Sequence, residues 1–283
     1  MSSAPPIEFP RRRVSFALGV AKEHSPRHLR RAALDIVLRA TSLALRGDEV
    51  ACATCDTTAA RFMRGRCPTC GAASRQRLIA LFLQRELQIA GPRRRRVLHF
   101  APEPGLVKML SKLPSVDYVP GDLTPDKGHA RVDATKIELE PGFDGIITSH
   151  VLEHVPDDTT AMAEMLRVLR PGGWAIVLVP VSDRLEQTYE DRSIGSAWDR
   201  HVHYGQHDHV RIYTAADVVE RLRNAGFDVQ ERCYAEEVGA EDARRYGLRA
   251  VDVMYFCRKP GCADPRAQAS PSSSAGAPPP ARP

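Results

Sequence analysis

Four cysteines near residue 60 are spaced as metal ligands. The chain reads Cys52-Ala-Thr-Cys55, then eleven further residues, then Cys67-Pro-Thr-Cys70. Each C-x-x-C turn directs two thiolates toward one point, and two such turns form the tetrahedral sulfur cage that Zn²⁺ prefers. Because four thiolates leave no open coordination position, the pattern predicts a structural zinc ion. The alternative is a set of ordinary buried cysteines.

Five arginines lie close to this quartet in the sequence, namely Arg61, Arg64, Arg66, Arg75 and Arg77. A zinc ion with four thiolates carries a net negative charge, so we expect these arginines to neutralise it and to pair with acidic residues elsewhere. A phosphate-binding patch for nucleic acid is the alternative. The first interpretation is favoured because Phe62 is the single aromatic residue nearby that could stack on a base.

The densest group of reactive side chains lies in the stretch RHVHYGQHDHVR, residues 200–211. A neutral histidine oriented by an aspartate can remove a proton near pH 7. His207, Asp208 and His209 are therefore the predicted catalytic residues, with either histidine as the base. A catalytic metal is the alternative, but alternate histidines around a glycine match no familiar ligand spacing.

Strands and helices alternate from residue 97 onward. Short apolar runs begin with VLHF at Val97–Phe100 and continue as VDYVPGDL, GIITSHV, WAIVLVPV, FDVQERCYA and VDVMYFCRK. Strands separated by helical segments predict right-handed crossovers and a mainly parallel sheet covered on both faces. We therefore expect an α/β fold with a Rossmann-like sheet, preceded by a small helical and four-cysteine module.

Two amphipathic helices are predicted before this sheet. The first starts at Ser25-Pro26 and stops at Gly47, and the second covers about Arg75 to Ala90. The first helix is expected to dock on the body of the protein, with membrane-surface binding as the alternative.

Composition limits the class of protein. Of the 283 residues, 43% are apolar, which suffices for one α/β core and a small accessory module. The net charge is +5, yet residues 1–96 hold 19 Lys and Arg against 7 Asp and Glu, so the remainder is acidic. The longest apolar run, Trp174 to Val181, is too short to span a membrane, and the N-terminus makes a poor leader peptide. We expect a cytoplasmic protein without a membrane partner.

The order of motifs resembles the class I S-adenosylmethionine-dependent methyltransferases. The matching stretches are VLHFAPEPG, GDLTP, VDATKI, FDGIITSHVLEHVPDD and LRVLRPGGWAIVLVP, within about residues 97–259. In addition, CPTCGAASRQRL, TYED and HYGQHDHVRIYT are similar to a type 11-like subgroup that bears a zinc-binding cysteine module. The resemblance implies S-adenosylmethionine as the cofactor.

Carried over residue by residue, the resemblance predicts cofactor-binding roles for His99, Ala101, Glu103, Gly105, Asp122, Asp133 and His150. Ala101 and Glu103 stand where the family usually has glycine, so this turn departs from the pattern. Glu103 is expected to pair with the ammonium of the cofactor, Asp122 with its ribose hydroxyls and Asp133 with the adenine side. A solvated loop carboxylate is the alternative for Glu103. For His154, packing or helix capping competes with a role in chemistry.

The predicted organisation has five segments: disordered tails at 1–13 and 261–283, a helical segment at 14–50, the zinc module with its helix at 51–91, and the methyltransferase domain at 92–260. The expected reaction is methyl transfer to an O or N nucleophile of a small-molecule or saccharide acceptor. One alternative is an RNA base methyltransferase that uses the basic zinc module. The other is a non-catalytic cofactor-binding or scaffolding protein. The sequence predicts no oligomeric state.

Overall fold

The computed structural model describes residues 38, 40–125 and 128–261. Most of the helix predicted from Ser25 lies outside these residues, and its described end is helical at residues 38 and 40–44. The tail predicted at 1–13 lies outside them entirely, and the tail predicted at 261–283 lies outside them except for Gly261.

A seven-stranded sheet forms the centre of the described chain. In chain order the strands are β1 (Val50–Cys52), β2 (Thr57–Ala59), β3 (Arg95–Phe100), β4 (Val116–Asp122), β5 (Ala130–Arg131), β6 (Phe143–Ser149), β7 (Leu169–Leu178), β8 (Tyr189–Glu190), β9 (Arg211–Ile212), β10 (Asp228–Arg232) and β11 (Met254–Arg258). The central sheet has the spatial order β10-β11-β7-β6-β3-β4-β5. Its pairs from β5 to β7 are parallel, whereas β11 is antiparallel to both β7 and β10. The predicted α/β, Rossmann-like fold is confirmed.

Helices cover both faces of this sheet. In chain order they are α1 (Ser74–Arg85), α2 (Pro104–Leu110), α3 (Asp158–Val168), α4 (Ala197–Tyr204), α5 (Ala215–Asn224), α6 (Tyr234–Glu237) and α7 (Gly239–Tyr246), with a 3-10 helix at Leu152–His154. Side chains alternate along a strand, so Ile146 of β6 packs in the core shared with α3 and α5, and Ile147 in the core shared with α1. In the described part of the chain, each helix is too short or too polar to cross a membrane.

Helix α1 ends at Arg85, earlier than the predicted end at Ala90. Beyond it, Gln88 adopts a left-handed backbone with φ 45°, and the Ile89 N–H donates to the Leu83 carbonyl at 2.9 Å. This turn folds Ile89 back into the core, where 1% of the residue is exposed. Burial of Ile89 therefore stops the helix.

The four-cysteine segment packs against the sheet domain. Strands β1 and β2 form an antiparallel hairpin, and Ala53 in its turn belongs to the same hydrophobic core as α1, α2 and β3. The predicted segments 51–91 and 92–260 therefore share one core in the described chain.

Candidate functional site

The chain order of the strands reverses between β3 and β6. From β3 the chain continues to β4 and β5 on one side, and then to β6 and β7 on the other. In an open α/β sheet, ligands bind above such a switch point, outside the carboxyl ends of the strands. Residues that end or follow β3, β4 and β6 therefore line the candidate site.

Two non-glycine residues at the switch point have a left-handed backbone. Ala101, after β3, has φ 43°, and His150, after β6, has φ 57°. The Ala101 N–H donates to the Gly121 carbonyl at 2.9 Å, and the His150 N–H donates to the Leu178 carbonyl at 2.8 Å. Hydrogen bonds to neighbouring strands thus hold both strained turns, and such strain clusters at binding sites. Two of the predicted cofactor residues lie at these turns.

His99 and Glu103 are paired beneath the first of these turns. His99 Nε2 lies 2.9 Å from Glu103 Oε2, and His99 Nδ1 lies 2.9 Å from the Tyr118 hydroxyl. The Glu103 side chain is only 12% exposed. Burial raises the pKa of Glu103, but the hydrogen bond from His99 and the charges of His99 and Arg75 bring it below its usual value. The interpretation of Glu103 as a solvated loop carboxylate is therefore wrong, and its contact with a cofactor stays a prediction.

Gly105, in the first turn of α2, lies too close to neighbouring atoms to carry a side chain. A Cβ at this position would lie 2.9 Å from Thr54 Cγ2 and 3.6 Å from Ala72 Cβ. Both neighbours belong to the four-cysteine segment. The close approach of that segment therefore excludes a side chain here, whereas contact of Gly105 with a ligand stays a prediction.

Asp122 ends β4, and Asp133 follows β5 in the chain. Asp122 Oδ1 accepts a hydrogen bond from the Thr124 N–H at 2.8 Å, and Asp133 Oδ1 accepts one from the Thr135 N–H at 2.8 Å. The hydroxyl and N–H of Thr135 also lower the pKa of Asp133. Asp122 is half-buried and Asp133 is exposed. These fixed acceptors at the strand ends suit the hydroxyl and amino donors of a nucleoside, which is the chemistry that the implied cofactor presents.

Arg211 binds the histidine-rich stretch to the 3-10 helix that follows β6. This arginine is 3% exposed, and its guanidinium donates to the carbonyls of Leu152 at 2.9 Å and Val155 at 2.6 Å. The Val210 N–H donates to the Glu153 carbonyl at 2.9 Å. The predicted catalytic stretch therefore lies over the 3-10 helix, next to the switch point. This role of Arg211 was not predicted from the sequence, where its place directly after the histidines was the available signal.

Asp208 lies against His154 of the 3-10 helix. Asp208 Oδ2 lies 3.2 Å from His154 Nδ1, and the His154 and His209 rings meet edge to face with centroids 4.6 Å apart. His207 is half-buried. Asp208 thus faces His154, a partner that the sequence did not predict, and the catalytic roles of His207, Asp208 and His209 stay predictions.

His154, Asp208 and His209 shift one another's pKa values. Burial lowers the pKa of His154, but the hydrogen bond and charge of Asp208 raise it above its usual value. Burial and the His154 ring lower the pKa of His209. Burial raises the pKa of Asp208, yet the hydrogen bond from His154 brings it down to about 2. Asp208 is therefore ionised at neutral pH.

Glu153 lies fully buried beside these rings. Neither of its carboxylate oxygens has a hydrogen-bond partner in the described part of the chain, although His150 Nδ1 lies 3.0 Å from Oε1 without hydrogen-bond alignment. Glu153, His154 and His209 each place one potential ligand atom within 4.8 Å of the others. A role for Glu153 in this site was not predicted from the sequence, although the spacing of His and Glu in HVLEH could have indicated it.

The four cysteines converge as predicted from their spacing. Cys52 Sγ lies 3.7 Å from Cys70 Sγ, and Cys55 Sγ lies 3.8 Å from Cys67 Sγ. A tetrahedral zinc ion with Zn–S bonds of about 2.3 Å sets its sulfurs about 3.8 Å apart, whereas a disulfide requires about 2.05 Å. The sulfur positions therefore fit a zinc ion. Hydrogen bonds with Cys52 and Cys70 lower the pKa of Cys55, although that with Cys67 raises it.

Arg77 is buried beside the quartet, with 1% of the residue exposed. Its guanidinium donates to the carbonyls of Gly65 at 3.1 Å, Ala72 at 2.5 Å, Tyr246 at 2.7 Å and Gly247 at 2.8 Å. Burial lowers its pKa, while the charges of neighbouring thiolates raise it. Arg77 therefore joins the four-cysteine segment to α7.

A comparison with known protein families assigns the chain to a family. Residues 72–232, more than half of the chain, match the model of a family described as a methyltransferase domain. The chain belongs to this family, and the resemblance seen in the sequence is confirmed.

Individual relatives match over shorter stretches. A ubiquinone biosynthesis O-methyltransferase of Thiobacillus denitrificans is 30% identical over 93 residues, which are 32% of this chain and 39% of that protein. An uncharacterized 37.1 kDa protein in transposon TN4556 of Streptomyces fradiae is 42% identical over 71 residues, which are 25% of this chain and 21% of that protein. The chain thus spans between a fifth and two fifths of the length of these relatives.

Among solved structures, the 1,6-didemethyltoxoflavin-N1-methyltransferase of Burkholderia thailandensis with bound 1,6-didemethyltoxoflavin and S-adenosylhomocysteine is 19% identical to this chain. The match covers 66% of this chain and 79% of that chain, with a TM-score of 0.44.

Proposed function

We propose that the protein transfers a methyl group from S-adenosylmethionine to an oxygen or nitrogen nucleophile of a small-molecule or saccharide acceptor. The observation that carries this proposal is that Ala101, Asp122 and His150 end or directly follow three strands at the switch point of a methyltransferase-family sheet. The relative from T. denitrificans is named an O-methyltransferase, and this name favours oxygen as the acceptor atom.

S-adenosylmethionine, when bound, supplies a methyl group on a positively charged sulfur. Asp122 would hold the ribose hydroxyls and Asp133 the adenine amino group. Glu103 Oε1 is buried and accepts no hydrogen bond in the described chain, with Arg75 Nε 3.9 Å away, so it would take the ammonium group. Each assigned acceptor therefore meets a donor of the cofactor.

The histidine cluster of His150, His154, Asp208 and His209 would form the acceptor side of the site. In methyl transfer the nucleophile donates an electron pair to the methyl carbon while the carbon–sulfur bond breaks, and the nucleophile loses its proton. The cluster lies at the end of β6, next to the proposed cofactor position. It would orient the acceptor and receive this proton, with His207 and His209 still the predicted bases.

The four cysteines are proposed to hold a structural zinc ion. The support is the sulfur geometry, since Cys52, Cys55, Cys67 and Cys70 place all four Sγ atoms within 4.8 Å of one another. Four thiolates complete the coordination of zinc, so this ion would not contact the acceptor.

Titration calorimetry with S-adenosylmethionine tests the proposed activity. Zinc-replete wild type should bind the cofactor with a micromolar dissociation constant, and Asp122→Ala should weaken binding at least tenfold. Asp117→Asn is the matched control, because Asp117 lies on the same strand near its opposite end and is half exposed. Absence of binding by the wild type, or equal binding by Asp122→Ala, would contradict the proposal.

A further inference from the structure

We propose that Glu153, His154 and His209 bind one divalent transition-metal ion, separate from the cysteine quartet. Their three potential ligand atoms lie within 4.8 Å of one another. A metal ion with ligands at about 2.1 Å sets neighbouring ligand atoms about 3 to 4 Å apart, so small side-chain rotations suffice to seat it. Two imidazoles with one carboxylate suit first-row divalent metals such as Zn²⁺.

The buried carboxylate of Glu153, which accepts no hydrogen bond in the described chain, is the observation that points to a cation. Glu153 is fully buried, and both oxygens lack a hydrogen-bond partner in the described chain. A buried carboxylate is stable only when it is protonated or faces a positive charge. His150 Nδ1 lies 3.0 Å from Oε1 and supplies that charge only when its ring is protonated. The guanidinium of Arg211 is bonded instead to the carbonyls of Leu152 and Val155 and to Glu190.

The surroundings of His154 match those of a metal-binding histidine. Such a histidine usually gives its second ring nitrogen to a carboxylate, which fixes the tautomer and the ring orientation. Asp208 Oδ2 lies 3.2 Å from His154 Nδ1, which leaves Nε2 to face the ion. The Val210 N–H holds the Glu153 carbonyl at 2.9 Å, so the backbone places His209 beside Glu153.

Three protein ligands leave coordination positions open, unlike the four thiolates of the quartet. A hydroxyl of the acceptor can occupy an open position, and the metal lowers the pKa of a hydroxyl that it binds. The hydroxyl would then release its proton to His207, the predicted base that is not a ligand of the ion, whereas His209 would serve as a ligand and not as a base. This last step rests on the proposed function, whereas binding of the ion does not.

Equilibrium dialysis of the untagged full chain against Zn²⁺, followed by elemental analysis, tests the inference. Wild type should hold two zinc ions per chain, and Glu153→Gln and His209→Asn should each hold one. His203→Asn is the matched control and should hold two, because His203 bonds to Tyr189 outside the cluster. One zinc ion in the wild type, or two in both cluster variants, would overturn the inference.

A second variant distinguishes loss of the proposed metal site from misfolding of the protein. Asp208→Asn retains the size of the side chain and should weaken binding of the second zinc ion about 10- to 100-fold, with the zinc of the quartet retained. An unchanged second affinity would contradict the orientation of His154 by Asp208. The assay contains neither cofactor nor acceptor, so its outcome is independent of whether the protein transfers methyl groups.

Discussion

Thr54 of the four-cysteine segment packs directly on Gly105 of α2, where a Cβ would lie 2.9 Å from Thr54 Cγ2. Beside this contact, Gln84 of α1 donates to the Ala53 carbonyl at 2.9 Å. Helix α2 follows the strained turn at Ala101, which lies at the switch point. The four-cysteine segment therefore supports the turn at which we place the cofactor.

Gly105→Ala should lower the free energy of unfolding by about 1 to 3 kcal/mol, because the added methyl group overpacks a buried contact. Urea denaturation followed by circular dichroism measures the loss. Gly195→Ala is the control, since in the described part of the chain no atom lies within 4 Å of a Cβ at that position. Thr54→Ser in the Gly105→Ala background removes Cγ2 and should recover part of the loss. Equal stability of Gly105→Ala and wild type would contradict the contact.

Loss of the zinc proposed for the quartet should weaken cofactor binding, although the ion is not expected to contact the cofactor. Cys67→Ser removes one of the four thiolates and should lower both the zinc content and the affinity for S-adenosylmethionine. Cys233→Ser, outside the quartet, should change neither. Elemental analysis and calorimetry on the same samples give the two quantities. If Cys67→Ser loses zinc but binds the cofactor with wild-type affinity, the four-cysteine segment does not support the cofactor site.

The strands and the cysteine quartet were predictable because local patterns determine them. Adjacent apolar residues such as Ile146 and Ile147 indicate a strand buried on both faces, and C-x-x-C turns converge through short-range geometry. The contact between Asp208 and His154 joins residues that are distant in the chain. It depends on Arg211, which binds the carbonyls at the end of the 3-10 helix. No local pattern specifies such a contact, so it could not be predicted from the sequence.

Arg77→Lys should destabilise the protein by about 3 kcal/mol or more, because hydrogen bonds to a charged group contribute about 1.5 to 3 kcal/mol each. A lysine ammonium cannot reproduce the fork that reaches Gly65, Ala72, Tyr246 and Gly247.

Thermal and urea unfolding measure this loss. Arg61→Lys, at an exposed position, is the control and should stay within about 0.5 kcal/mol of wild type. A loss of similar size in both variants would show that the buried carbonyl contacts of Arg77 contribute little.

The pairing of Glu103 with His99 should make stability depend on acid pH. Because the folded protein holds the pKa of Glu103 below its ordinary value of 4.5, the unfolded chain takes up the proton first as the pH falls. The stability from Glu103 is thus fully present above about pH 4.5 and is lost as the pH drops through the folded-state value. Urea denaturation from about pH 6 to pH 3 should show Glu103→Gln less stable than wild type near neutrality, with the difference shrinking in acid. Glu186→Gln, at an exposed position, is the control and should have the stability of wild type at every pH. If the stability difference between Glu103→Gln and wild type does not change with pH, Glu103 is not ionised in the folded protein.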